Sequence, residues 1–256
     1  MSLSNFEYTA AWTGGSLVAF GVVTMCCKHV QAFGASPAYA AQVMVHSVLV
    51  CAICYYSLVG RLDWISEQPA TLAERMYAFD PAAEKICLLQ LVLQIYSIST
   101  ALYTRHPLLM TPVGFVHHVM TAMAVCVSLQ PFGQSRTGIF FGVTELSTVP
   151  LDVLDFFKGF KDLRAQYPST NLVCKSAFSL SFLILRVGLV TYASYGFQSD
   201  LYQLYATGTA HSLPVLAFSS LANVCIVVLQ LYWATLIVKG MQKMFGGGRG
   251  KSGKAA

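Results

Sequence analysis

Seven stretches of this sequence are long and apolar enough to cross a bilayer, and nothing else restricts the fold as strongly. They run Thr9–Cys27, Ala38–Val59, Lys85–Tyr103, Leu109–Leu129, Thr137–Phe157, Asn171–Tyr195 and Leu213–Lys239. A spanning helix needs about 20 mostly apolar residues to cover about 30 Å of hydrocarbon. Inside that hydrocarbon only helices and closed barrels satisfy the backbone's hydrogen bonds. The expected fold is therefore all-α: a polytopic membrane helix bundle over residues 1–244, followed by a flexible basic, glycine-rich tail over 245–256. Composition agrees with a membrane chain. Hydrophobic residues make up 55% and charged residues 11%, against roughly 25% charged in soluble domains. Mean hydropathy is +0.59. A soluble domain and a disordered chain are both excluded. The 8 cysteines fall mostly inside apolar runs, which argues against a secreted disulfide scaffold.

The fifth stretch is the least hydrophobic, because it carries Glu145, Asp152 and Asp155. Two readings stay open for it: a helix packed inside the bundle, or a re-entrant segment. The longest connection, Gly60–Glu84, holds Arg61, Asp63, Glu67, Glu74, Arg75 and Asp80 and has room for a short interfacial helix. No internal repeat is visible, so a duplicated transporter architecture has no support. The first stretch lacks a basic leader, and Ala38-Tyr39-Ala40 lies too far beyond it to serve as its cleavage site.

Orientation follows from lysine and arginine. With seven spans, one side holds Lys28, Arg105, Lys158, Lys161, Arg164, Lys239, Lys243, Arg249, Lys251 and Lys254. The other side holds Arg61, Arg75, Lys85 and Arg136. The expectation is a cytosolic C-terminus and a lumenal or outside N-terminus. The net charge of +5 then reports topology, and nucleic acid is not an expected partner. The basic tail suits contact with anionic lipid.

Several motifs fail on inspection. Gly246–Ser252 resembles a phosphate-binding loop, but Phe245 stands where the first glycine is required. Cys51-Ala-Ile-Cys54 has redox or zinc spacing inside an apolar helix, with no second pair of ligands. Cys26-Cys27, at the end of the first stretch, is compatible with palmitoylation. The 6 histidines include a single adjacent pair, too few for a di-iron site built on histidine boxes, and no metal is expected. Leu213–Val238, the interior of the last stretch, has no lysine for a retinal Schiff base.

Ionisable residues at membrane depth cost about 2.5–3.5 kcal/mol each on insertion scales, so a group of them marks a functional interior. His117 and His118 lie in the middle of the fourth stretch, with Thr121 one turn on. Glu145 and Asp152 are one heptad apart in the fifth, with Asp155 three residues further. Arg186 sits in the sixth, with Ser179 before it. Asn223, Gln230 and Ser219 share a face of the seventh, Gln90, Gln94 and Ser97 form a stripe on the third, and His46 lies in the second. Each alone is compatible with a buried packing contact. Together they have the makings of an acid–base group. A histidine can accept a proton near neutral pH or carry an acyl group, and a carboxylate one helix away can hold its imidazole in one tautomer.

These residues also carry a family resemblance. His117-His118-Val-Met-Thr121, Glu145-Leu-Ser-Thr148, Leu183-x-x-Arg186 and Gln230-Leu-Tyr-Trp233 resemble the TLC domain shared by the translocating-chain-associating membrane protein and the Lag1-type ceramide synthases. The resemblance covers roughly Asp80 to Met244 and is closest to the small TLC domain-containing proteins. Where the synthases have closely spaced aspartates, this chain has Glu145, Asp152 and Asp155. Ser97 or Ser99 stands where the family often has an aspartate, and no proline follows Arg186.

The resemblance implies an endoplasmic-reticulum protein with a central cavity for an acyl chain, acting in membrane lipid metabolism or homeostasis. It implies membrane lipids as partners, no bound cofactor, and acyl-CoA as the co-substrate if the protein is an acyltransferase. A homodimer stays open. In the enzyme reading, acyl passes from acyl-CoA to a lipid amine or hydroxyl. His117 or His118 is base or acyl carrier, Glu145 and Asp152 orient it, and Arg186 offsets charge. Gln94, Asp155, Asn223 and Trp233 complete the candidate substrate contacts. In the alternative, the same bundle binds lipid without turning it over.

Overall fold

The computed structural model describes residues 3–61, 69–105 and 111–246. Asp63, Glu67, His106-Pro107, the Leu109 start of the fourth stretch, and Arg249, Lys251 and Lys254 of the tail lie outside the described residues. Among the described residues there are helices and turns and no strand. Helix α1 is Leu3–Lys28, α2 is Pro37–Arg61, α3 is Leu72–Tyr77, α4 is Pro81–Thr104 and α5 is Pro112–Ser128. After an irregular stretch come α6 (Thr148–Gly159), α7 (Lys161–Gln166), α8 (Pro168–Ser181), α9 (Val190–Ala206) and α10 (Leu213–Gly246).

Local chemistry sets several of these boundaries. Asp80 caps α4, its carboxylate accepting from the Ala82 and Ala83 amides with Pro81 at the first position. The helix ends at Arg105, which adopts left-handed backbone with φ 52°. Thr111 caps α5 by accepting from the Gly114 amide, again ahead of a proline. In α3, Thr71 and Glu74 form a reciprocal capping box.

Among the described residues, five helical segments have the length and composition to cross a membrane: Ser4–Lys28, Pro37–Val59, Leu72–Thr104, Pro168–Ala206 and Leu213–Lys243. The third of these takes in both α3 and α4. The protein is therefore a membrane-spanning helical protein. The fourth expected span appears as the shorter α5, 17 residues long. The fifth, read from the sequence over Thr137–Phe157, is not one α-helix. It passes through a 3₁₀ turn (Gln134–Arg136), a π turn (Gly138–Gly142) and a second 3₁₀ turn (Val143–Ser147) before α6 begins. Gly142 explains the detour. A Cβ there would lie 2.0 Å from Ser57 Oγ and 2.8 Å from Ser57 Cβ on α2, so any side chain at 142 would collide with Ser57. The sixth expected span is part of a longer run, 168–206, with π-helical backbone over Phe182–Leu189.

Helices α1, α2, α4 and α5 pack around an apolar core containing Val50, Ile53, Ile86, Tyr96 and Val125, each fully buried. A second cluster closes one end of the bundle. There Met76 of α3 packs on Phe132, Phe197, Leu201 and Leu204, and the Gly133 amide donates to the Met76 carbonyl. Gly133 turns the chain with φ 65°. Charge locks this end in place. Arg75 donates to both oxygens of Asp200, at 2.9 Å from Nη2 to Oδ1, and Arg136 donates to Asp200 Oδ2. Ser135 donates to the Arg75 carbonyl at 2.8 Å. Asp200 thus joins α3 and the Gln134–Arg136 turn to α9.

Removing one member of a buried ion group costs about 3–5 kcal/mol, because the remaining charge is stranded. Asp200→Asn leaves two arginines without a counter-charge and is expected to lower stability by about that amount, read as the shift in unfolding in detergent. Removing both charges from an exposed pair, as in Lys158→Gln with Asp155→Asn, is expected to change it by less than about 1 kcal/mol.

Candidate functional site

Two adjoining cavities lie inside the bundle. The larger, ≈ 460 Å³, is bordered by α2, α4, α5, α6, the Phe182–Leu189 stretch and α10. His46, Gln94, His117, His118, Glu145, Asp152, Asp155, Arg186 and Trp233 all line it, with Phe178, Phe182, Leu236 and Ile237 supplying apolar wall. The smaller, ≈ 80 Å³, has Gln90, Thr121, Ser219, Asn223 and Gln230 in its wall. His117, Glu145 and Arg186 line both, so they form the boundary between the two.

The irregular backbone places these groups. Glu145 projects from the 3₁₀ turn and accepts from Gln90 Nε2 at 3.1 Å on one oxygen. Its other oxygen accepts from Thr148 Oγ1 at 2.6 Å and from Arg186 Nη2 at 3.3 Å. Arg186 projects from the π-helical stretch, and its Nε donates to Ser147 Oγ at 2.7 Å while Nη2 donates to Thr148 Oγ1 at 2.8 Å. π-Helical turns recur at functional sites because they re-aim one side chain within an otherwise regular helix. Both charges of this pair are thereby matched and hydrogen-bonded, which a low-dielectric interior requires.

Glu145 and Asp152 do not orient the histidine pair, which corrects the expectation that they would. Asp152 Oδ2 instead faces His46 Nδ1 at 3.0 Å and accepts from Ser47 Oγ at 2.8 Å. The one-heptad spacing fails to align Glu145 with Asp152 because Glu145 belongs to the 3₁₀ turn and Asp152 to α6. The imidazole of His118 is held by an amide: Nδ1 lies 2.5 Å from Gln94 Oε1. An amide oxygen only accepts, so in this contact Nδ1 is the donor. His117 sits edge-on to Trp233 with centroids 5.2 Å apart. Asp155 borders the larger cavity but its carboxylate accepts from Lys158 at 2.7 Å. Asn223 is tied to Gln198 and Ser194, both at 3.0 Å, and contributes to the wall of the smaller cavity.

The sequence showed His46 without a partner and Ser147 only as part of the Glu145–Thr148 motif, and it gave no sign of Ser47, since a serine in an apolar run carries no distinguishing signal. It counted Arg75 and Arg136 only as loop charges. Arg136 and Asp200 flank apolar stretches, and that adjacency was the available sign of pairing. Among the described residues, no three His, Cys, Asp or Glu side chains converge in a metal-binding group.

Comparison with known proteins adds one finding. The family model described as the TLC domain matches residues 40–239, which takes in α2 as well as the segment that carries the motifs. No curated protein and no solved structure matches.

Glu145→Gln and Arg186→Met are each expected to cost about 3–5 kcal/mol. The double variant is expected to cost less than the sum, by a coupling of about 0.5–3 kcal/mol. Thermal unfolding of the four proteins in the same detergent measures the coupling.

Proposed function

Because this chain belongs to the TLC domain family, we propose that it binds a lipid acyl chain in its intramembrane cavity and acts in membrane lipid metabolism or homeostasis. The larger cavity supports this most directly. Its ≈ 460 Å³ falls in the range of about 300–1,000 Å³ typical of ligand sites, and most of its wall area is apolar although many polar and ionisable side chains converge on it. A lipid tail lies against Phe178, Phe182, Leu236 and Ile237, while His117, His118 and Trp233 meet the polar end of the chain. Residence in the endoplasmic reticulum, with the basic C-terminal side in the cytosol, fits the family and the lysine and arginine distribution.

The His118–Gln94 contact favours a second reading, ceramide-synthase-like acyl transfer. A histidine held with Nδ1 protonated presents Nε2 as a base. It would take the proton from a lipid amine or hydroxyl as that group attacks the acyl-CoA thioester. The departing thiolate then receives a proton and leaves as CoA. His46, paired with Asp152 on the opposite wall, has the same Nδ1-anchored arrangement. The altered acidic pattern around Glu145 places binding ahead of turnover.

Purified protein is expected to carry intact lipid, extractable without a covalent histidine adduct and identifiable by mass spectrometry. Cells with the His117→Ala/His118→Ala protein are expected to show a shifted lipid profile. Protein that carries no lipid, together with an unchanged profile, defeats the proposal. Acyl-CoA turnover by wild type that disappears in His118→Ala selects the enzyme.

A further inference from the structure

Four residues that line the larger cavity are also exposed: Thr111, Val113, Tyr232 and Leu236. Val113 is 44% exposed, Tyr232 52% and Leu236 48%. A side chain that borders an interior hollow and is also about half exposed stands on the rim of an opening. Every other residue of that wall is buried or only partly exposed. The rim is therefore confined to the start of α5 and the second half of α10. These helices meet along one seam, where the ring of His117 is edge-on to Trp233 at 5.2 Å. Each is fastened to a different neighbour. On α5, His118 is bonded to Gln94 of α4. On α10, Ser220 and Asn223 are bonded to Gln198 of α9. The ring contact can open without stranding a hydrogen bond. Next to the rim the outer surface is apolar too: Val116, three residues after Val113, and Val228, four before Tyr232, are both exposed. An opening framed in this way leads into hydrocarbon, because water gains little at an apolar rim.

We infer that the seam between α5 and α10 is a lateral portal through which a bilayer lipid passes directly between the membrane and the larger cavity. The inference rests on the lipid-binding reading and adds the route and the leaflet. Arg105 lies shortly before α5, and Lys239 and Lys243 follow the rim on α10. The portal therefore opens into the leaflet on the basic side of the bundle. A lipid that enters there never crosses water, so its chain keeps an apolar environment throughout. His117 and Trp233 stand just inside the rim, and the entering molecule separates their rings. The size of the side chains at Val113 and Leu236 then controls how fast lipid moves in and out, and has little effect on how tightly it is held.

The test uses the full chain in phosphatidylcholine vesicles with a fatty acid spin-labelled near its chain end as the probe. Bound probe is immobilised and free probe is fluid, so electron paramagnetic resonance follows uptake and, after dilution with unlabelled fatty acid, release. Val113→Trp narrows the portal and is expected to slow uptake and release together by about tenfold, a change in barrier alone. Its affinity is expected to stay within about twofold, since a barrier change leaves the equilibrium in place. Leu236→Ala widens the portal and is expected to speed both. Val18→Trp, on an exposed face of α1, is expected to keep the wild-type rates. Wild-type rates in both Val113→Trp and Leu236→Ala overturn the portal and leave lipid binding standing. So does a change in release alone, with affinity following it, because that marks these residues as wall contacts only. No immobilised probe in wild type overturns both readings. Leu236→Ala removes bulk from a half-exposed position and decides the matter even if Val113→Trp does not fold.

Discussion

The contact between Glu145 and Arg186 is the one on which the interior depends. A carboxylate and a guanidinium inside hydrocarbon are each unaffordable alone. Each is therefore held by its opposite and by the hydroxyls of Ser147 and Thr148. Because the two come from different segments, their pairing fixes the distance between the irregular stretch before α6 and the π-helical stretch after α8. The walls of both cavities are attached to those segments. A second ion group, Arg75 and Arg136 with Asp200, performs the same task at one end of the bundle. Charge, which a membrane helix normally avoids, here determines how the helices sit against each other.

Irregular backbone is the other half of this arrangement. A straight α-helix over Thr137–Phe157 would present Glu145 and Asp152 on one stripe. The π and 3₁₀ turns separate them, so that Glu145 meets Arg186 and Gln90 while Asp152 meets His46 and Ser47. Two polar centres result where one was expected, and both border the same cavity. Gly142 is what permits the detour, because only a residue without a Cβ fits against Ser57.

The helical membrane fold was legible in the apolar stretches, which follow from a physical requirement that leaves few alternatives. The cluster of residues around the cavity was also legible, since His117, His118, Glu145, Arg186 and Gln230 stand out against apolar surroundings. Their partners were not. Whether Asp152 meets His118 or His46 depends on a rotation between helices, and no spacing within one helix encodes that rotation. The break in the fifth stretch was visible only as low hydropathy, which charges alone explain equally well. The short α3 falls in the connection that had room for a short helix, but its role in closing the bundle depends on Met76 and Arg75 meeting residues far along the chain.

The π-helical stretch Phe182–Leu189 has a consequence for sequence change in this region. A π turn takes up more residues than an α turn over nearly the same rise, so the helices on either side of it keep their phase. Deleting one residue there would tighten the turn and leave the downstream face where it was, with Asp200 still toward its two arginines and Phe197 toward Met76. Deleting one residue from the regular helix after it would instead turn everything downstream by about 100°. Within this 39-residue helical run the widened turn is thus the place where a change of length is absorbed locally, at the cost of the position that brings Arg186 to Glu145.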